Sequence, residues 1–200
     1  ELIEMLDEYD WYGVSREDGK EGGESTAILY RTKRFESKEK HTLWLSETPE
    51  QVSKGWDAMY KRTVTIIKLK DLMSSKEFYY FNTHFDHIGE TARTESSRLL
   101  INKIAKYSAD YPIILSGDFN YTSNSKGYKI IKSQLSDSKY ISKAESIGGN
   151  ITFNGFGNDI KPDNKIDFIF VNDKVEVLNH IIDTTTFNGL YPSDHYPVIA

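Results

Sequence analysis

Residues 113–120 constrain this chain more than any other stretch. Ile113, Ile114, Leu115 and Ser116 form a short, mostly apolar run that ends in Gly117-Asp118-Phe119-Asn120. Such a run reads as a buried strand ending in a loop. Side chains two apart on an extended segment share a face, so Asp118 and Asn120 are expected together at the strand's end, with Phe119 directed into the core. A carboxylate beside a carboxamide suits gripping a water and a phosphate or metal ion. Taken alone, the tetrapeptide is an ordinary turn, because Gly, Asp and Asn are the usual turn residues. Three further stretches shift that balance: Asn82-Thr83-His84, Ile166-Asp167-Phe168-Ile169-Phe170 and Ser193-Asp194-His195-Tyr196-Pro197. Each sets an Asp or His on, or just beyond, a strand-like segment.

Two hundred residues suffice for one large domain with a real core. No apolar run approaches the roughly 20 residues that span a bilayer. Cysteine is absent, which removes disulfides, thiolate nucleophiles and Cys-type zinc sites. A formal net charge of −5 argues against coating nucleic acid by electrostatics alone, but not against an enzyme that meets phosphate through a metal ion. Localisation is not legible, and a monomer is the default expectation.

Leu2, Ile3, Leu6 and Tyr9 sit at helical spacing with no cap before them, so the chain is read as opening inside a helix. Strands are expected over residues 26–30, 42–45, 62–69 and 78–83, and a helix over residues 91–107. A short helix over 125–135 follows, and then a strand over 151–156. Residues 166–171 and 175–182 read as a hairpin turning at Asn172-Asp173-Lys174. The charged, Gly-rich stretch 16–24 reads as a solvent-exposed connection. Strands outnumber helices without alternating strictly with them, which favours two packed sheets flanked by helices. No repeat or linker is visible, so residues 1–200 form one domain.

Asp118, Asn120, Asp167, Asp194, His195 and His84 all fall at strand ends or in the loops after them, where sites in sheet proteins collect. Cleaving a phosphoester requires a divalent cation on hard oxygen ligands, a group to activate water, and donors for the phosphoryl oxygens. This mixture supplies all three. No G-x-S-x-G elbow, P-loop or dinucleotide glycine pattern is present.

The four motifs, in this order, resemble the endonuclease/exonuclease/phosphatase superfamily, and residues 13–20 and 44–49 look like a bacterial branch of it. The resemblance implies an α+β, four-layer α/β/β/α sandwich of the DNase I-like kind. It also implies Mg²⁺- or Mn²⁺-dependent hydrolysis of a phosphoester by direct attack of water. Carried onto this chain, Asp118 orients or deprotonates the water, and Asn120 holds it or a phosphoryl oxygen. Asp167 fixes the tautomer of His195, which stabilises the scissile phosphate, and His84 is a second phosphate contact. Asp194 lies at or near the metal. The family's remaining ligands, an Asn on its first strand and a Glu just before its first helix, are expected before residue 1.

Arg62, Asp86 and His87 are candidates for lining the pocket and choosing the substrate, although a strand-end or loop-capping role suits each. The substrate itself is open: a small molecule, a lipid head group or nucleic acid, with a phosphodiester favoured over a phosphomonoester. The rival reading is a binding or scaffold module that kept the fold and lost the metal site.

Overall fold

The computed structural model describes residues 5–158 and 160–200. The chain runs β1 (Tyr9–Tyr12), β2 (Ile28–Arg31), β3 (Phe35–Trp44), β4 (Thr63–Asp71), β5 (Glu77–His84) and α1 (Glu90–Ile104). It continues through β6 (Ile113–Asp118), α2 (Lys126–Ile131), β7 (Ser136–Asp137) and α3 (Ser138–Ile141). After a 3₁₀ turn at Gly155–Gly157 come β8 (Asp167–Val171), β9 (Ile181–Ile182) and β10 (Val198–Ile199).

Six strands form one mixed sheet in the order β3-β4-β5-β6-β8-β7. Only β5 and β6 run parallel, because α1 carries the chain back between them. Alternation along β5 decides the two faces. Tyr79, Phe81 and Thr83 are buried on one side, whereas Tyr80, Asn82 and His84 face the other. On the first side Leu100, Ile101 and Ile104 of α1 and Tyr128 and Ile131 of α2 meet Phe81, Leu115, Phe168 and Phe170. On the second side Ile28 and Tyr30 of β2 pack on Ile67 and Leu69 of β4. The β1–β2 ribbon forms the β-layer there, and β9 and β10 pair as a separate two-stranded ribbon, with β10 beside β8. The result is the expected α+β architecture of packed β-layers with helices outside.

Asp57, from the loop before β4, caps α1. Its carboxylate accepts from the backbone N–H groups of Thr91 (3.1 Å) and Ala92 (2.6 Å), two of the orphan donors at a helix start.

Several expectations are corrected. Tyr9 is not helical but opens β1, paired with Arg31; Leu2 and Ile3 lie outside the described residues. β3 begins at Phe35, not near Thr42. Its first half is mostly charged, with Glu36, Lys38 and Lys40 exposed, because it is a sheet edge with one face turned to water. No strand forms over 151–156; Phe153 makes a single bridge to His195 and a 3₁₀ turn follows. The hairpin after β8 is not formed either, since Ile181 and Ile182 pair with β10 instead.

Gly117 makes the close approach of β5 and β6 possible. Its φ is +150°, and a Cβ there would sit 2.0 Å from the Thr83 carbonyl oxygen. Gly117→Ala is therefore expected to destabilise the fold by at least about 1–3 kcal/mol and to push Asp118 out of register. A lowered thermal midpoint, read by circular dichroism, is the check; an unchanged midpoint contradicts it.

Candidate active site

The register of three neighbouring strands places the first part of the site. His84 ends β5 opposite Asp118 at the end of β6, and Asp118 lies opposite Asp167 at the start of β8. Three chemistry-bearing residues thus stand abreast at one end of the sheet, on the face away from the helices. They line a cleft of about 490 Å³ whose far wall includes Ser193, His195 and Tyr196. Phe119, between Asp118 and Asn120, is fully buried against Phe85, Tyr121, Phe168 and Phe170. It anchors the Asp118–Asn120 turn from below, in the core direction the alternation implied.

Asn120 reaches the site by a different route from simple strand alternation, since β6 ends at Asp118. Asn120 adopts a left-handed conformation (φ 50°). Its backbone N–H donates to Asp118 Oδ1 (2.8 Å), and its Nδ2 donates to the Phe85 carbonyl (3.0 Å) and to Asp118 Oδ2 (3.3 Å). Asn tolerates this backbone better than most residues, and its side chain repays the strain locally.

Two imidazole–carboxylate pairs converge on one oxygen of Asp118. His195 Nδ1 donates to Asp167 Oδ2 at 2.8 Å, leaving its Nε2 4.0 Å from Asp118 Oδ2. On the other side His84 Nδ1 donates to Glu24 Oε1 at 2.8 Å, with its Nε2 3.4 Å from the same Asp118 oxygen. A carboxylate on Nδ1 fixes the tautomer and aims Nε2 across the cleft.

Electrostatics separate these groups. Burial pushes the Asp118 carboxyl up to about 7, and the neighbouring charge of Asp167 adds to the rise. Burial also works against charge on His195, but the hydrogen bond and charge of Asp167, with Asp118 beside it, outweigh this and raise its pKa. His84 moves the other way: burial and the Arg62 guanidinium lower its pKa, opposed by Glu24. One imidazole favours the charged form and the other the neutral form, a division suited to distinct roles in proton handling and anion binding.

Asp118, Asp167 and His195 each offer a ligand atom, all within 4.8 Å of one another. Two carboxylates this close, one of them driven toward its neutral form, form a donor set that a hard divalent cation would relieve. The residues present fit such an ion. Asp194 is not among these ligand atoms: its backbone carbonyl accepts from the N–H groups of Asn154 and Gly155, and its Oδ1 is 3.4 Å from Ser193 Oγ.

Of the pocket candidates, Arg62 stands behind the site. It is only 5% exposed, with Nε 3.5 Å from Asp86 Oδ2, Nη2 3.2 Å from His87 Nδ1, and Nη1 without a hydrogen-bond partner 3.9 Å from Glu24. Asp86 is spent on the turn before α1. Burial alone would raise its pKa, but the N–H groups of Gly89, Tyr60 and Ile88 donate to it and hold it well below the carboxylate range. His87 stacks on Tyr60, with ring centroids 5.7 Å apart.

Glu24 is the residue that motif reading passed over. It belongs to the Gly-rich loop read as a plain connection, yet it holds His84 and accepts from Arg16 at 2.8 Å. Nothing local marks it; a lone Glu after Gly22 and Gly23 carries no pattern of its own.

The sequence pattern that defines the Endonuclease/Exonuclease/phosphatase family matches residues 3–195. An endonuclease/exonuclease/phosphatase family protein from Bacteroides thetaiotaomicron is similar at 38% identity and a TM-score of 0.91, over 98% of this chain and 76% of that one. A mannosyl-6-phosphatase from Bacteroides thetaiotaomicron is similar at 37% identity and a TM-score of 0.89, over 98% and 79%. An uncharacterised protein of Acanthamoeba polyphaga mimivirus is 29% identical, over 99% of this chain and 77% of its own length. D. rerio TDP2, solved with a single-strand DNA product, shares the fold at 18% identity and a TM-score of 0.73.

Proposed function

This chain belongs to the endonuclease/exonuclease/phosphatase family, and we propose that it hydrolyses a phosphoester by direct attack of water with a divalent cation, Mg²⁺ or Mn²⁺, held on Asp167 beside Asp118. The observation that carries this reading is the convergence of His84 and His195 on Asp118 across the cleft. Asp118 orients the attacking water and takes up its proton, and Asn120 holds Asp118 in place through two hydrogen bonds. His195, kept in one tautomer by Asp167 and drawn toward its charged form, donates from Nε2 to the phosphoryl oxygens. His84, drawn toward its neutral form with Nδ1–H on Glu24, offers Nε2 as an acceptor for the water beside Asp118. A bound cation supplies neutralisation of the charge that develops on those oxygens.

Between ester classes, the sequence favoured a diester. The 37% identity to a mannosyl-6-phosphatase over nearly the whole chain supports a phosphomonoester, with a sugar phosphate as the substrate class, and we adopt that reading. The likeness to the DNA-bound protein, at 18% identity, supports the fold only.

The test uses the full-length protein with Mg²⁺, Mn²⁺ or a chelator. Its substrates are a hexose 6-phosphate, nitrophenyl phosphate and bis-nitrophenyl phosphate. Cation-dependent turnover that is fastest on the monoesters is expected. Faster turnover of the diester would restore the earlier preference. Absence of turnover with every cation would favour a binding module that keeps the fold.

A further inference from the structure

We propose that Thr152 is a positioning residue that sets the geometry of the Asp167–His195 pair from behind. The inference rests on the reading of that pair as part of the hydrolytic centre. Thr152 is fully buried, and none of its polar atoms faces the cleft as a ligand. Its Oγ1 accepts from two consecutive backbone groups, the N–H of Ile166 at 2.9 Å and the N–H of Asp167 at 3.1 Å. Consecutive N–H groups of a regular strand point to opposite sides. Their convergence on one oxygen therefore bends the chain at the entrance to β8, where Asp167 leaves the backbone. The carbonyl of Thr152 accepts from the N–H of Tyr196 at 2.7 Å, the peptide immediately after His195.

One residue thus ties both members of the pair to a common point, although they lie 28 positions apart in the chain. The residues after it extend the brace. Phe153 bridges to His195 and sets its ring edge-on to the imidazole at 5.0 Å. Asn154 holds the other side of the same loop, with its backbone N–H on the Asp194 carbonyl (2.8 Å) and its Nδ2 on the Ser193 carbonyl (3.2 Å). A hydroxyl serves at position 152 because it accepts two hydrogen bonds from one small, buried side chain. Valine has the same shape and accepts none, so the half-buried N–H groups of Ile166 and Asp167 would each lose this partner.

The experiment compares Thr152→Val with Thr152→Ser in the full-length protein. Thr152→Val is expected to lower kcat about 100-fold with KM unchanged, the scale of a small misplacement of a catalytic group. Thr152→Ser, which retains the oxygen, should return kcat to near the wild-type value. The readout independent of turnover is the downfield imidazole N–H proton of His195, assigned by its loss in His195→Ala. It should shift or broaden in Thr152→Val and persist in Thr152→Ser.

Wild-type kcat in Thr152→Val, a loss that serine does not restore, or an unchanged His195 proton would each overturn the proposal. If Thr152→Val fails to fold, Asn154→Leu takes its place, because it keeps the approximate shape without charge and removes the donor to Ser193, the Asn154 Oδ1 having no partner to lose. It should perturb the same proton and lower kcat, and no change in either would overturn the brace. Should the wild-type protein hydrolyse no phosphoester, the functional reading falls, while the imidazole signal still decides the positioning claim.

Discussion

Asp118→Asn is expected to lower kcat by about 10²–10⁴-fold, the range for losing a positioned acid–base group, while leaving the fold intact. The substitution should also stabilise the protein, and the sign follows from the pKa. The Asp118 carboxyl is raised from 3.8 to about 7 in the folded chain, first by burial and then by the charge of Asp167. A carboxyl with a raised folded pKa favours folding while protonated and loses that contribution as pH rises from about 4 to about 7. Above pH 7 and without divalent cation, Asp118→Asn should therefore melt at a higher temperature than the wild type. Adding Mg²⁺ or Mn²⁺ should raise the wild-type midpoint and do less for the variant. The measurement is a calorimetric melt at pH 8 with and without cation, alongside turnover. A variant that melts lower than the wild type without cation would show that Asp118 contributes structurally. The exchange of stability for a charged, crowded centre is the usual mark of a functional site.

The largest stability effect is expected at the neighbouring position. Phe119 is fully buried, and its ring meets those of Phe85 (5.0 Å), Phe168 (5.9 Å) and Phe170 (5.4 Å), each edge-on, with Tyr121 tilted at 5.5 Å. Phe119→Ala removes a side chain at the junction of three elements that cannot all collapse inward. It should cost about 3–5 kcal/mol. Because its flanking residues are Asp118 and Asn120, activity should fall at temperatures where the variant remains folded. Urea unfolding followed by tryptophan fluorescence gives the free energy. A loss below about 1 kcal/mol would mean that the aromatic cluster repacks freely.

The sequence exposed the site wherever chemistry coincides with a strand end. Asp118, Asp167 and His84 follow apolar or alternating runs, and the sheet register makes them neighbours without further assistance. His195 was legible through the motif order, although its loop is placed by hydrogen bonds to residues 152–154, which no local pattern announces. Glu24 was hidden for a similar reason. Its partner His84 lies 60 positions away, and only the packing of the layers brings the Gly-rich loop over the end of β5.

The fold errors share one cause. Periodicity reports burial rather than pairing. Edge strand β3 faces water along its first half and so lacked the expected signal. Ile181 and Ile182 carried a strand signal but not the identity of their partner, which is β10. Tyr9 fitted helical spacing, and the four residues of β1 show no two-residue alternation that would have marked a strand.

The central claim, that water held at Asp118 attacks phosphorus directly, is tested most directly by turnover in ¹⁸O-labelled water with mass analysis of both products. The account predicts one label in the released phosphate, none in the alcohol, and no accumulating phosphoenzyme. Label in the alcohol, or a covalently phosphorylated protein, would contradict it.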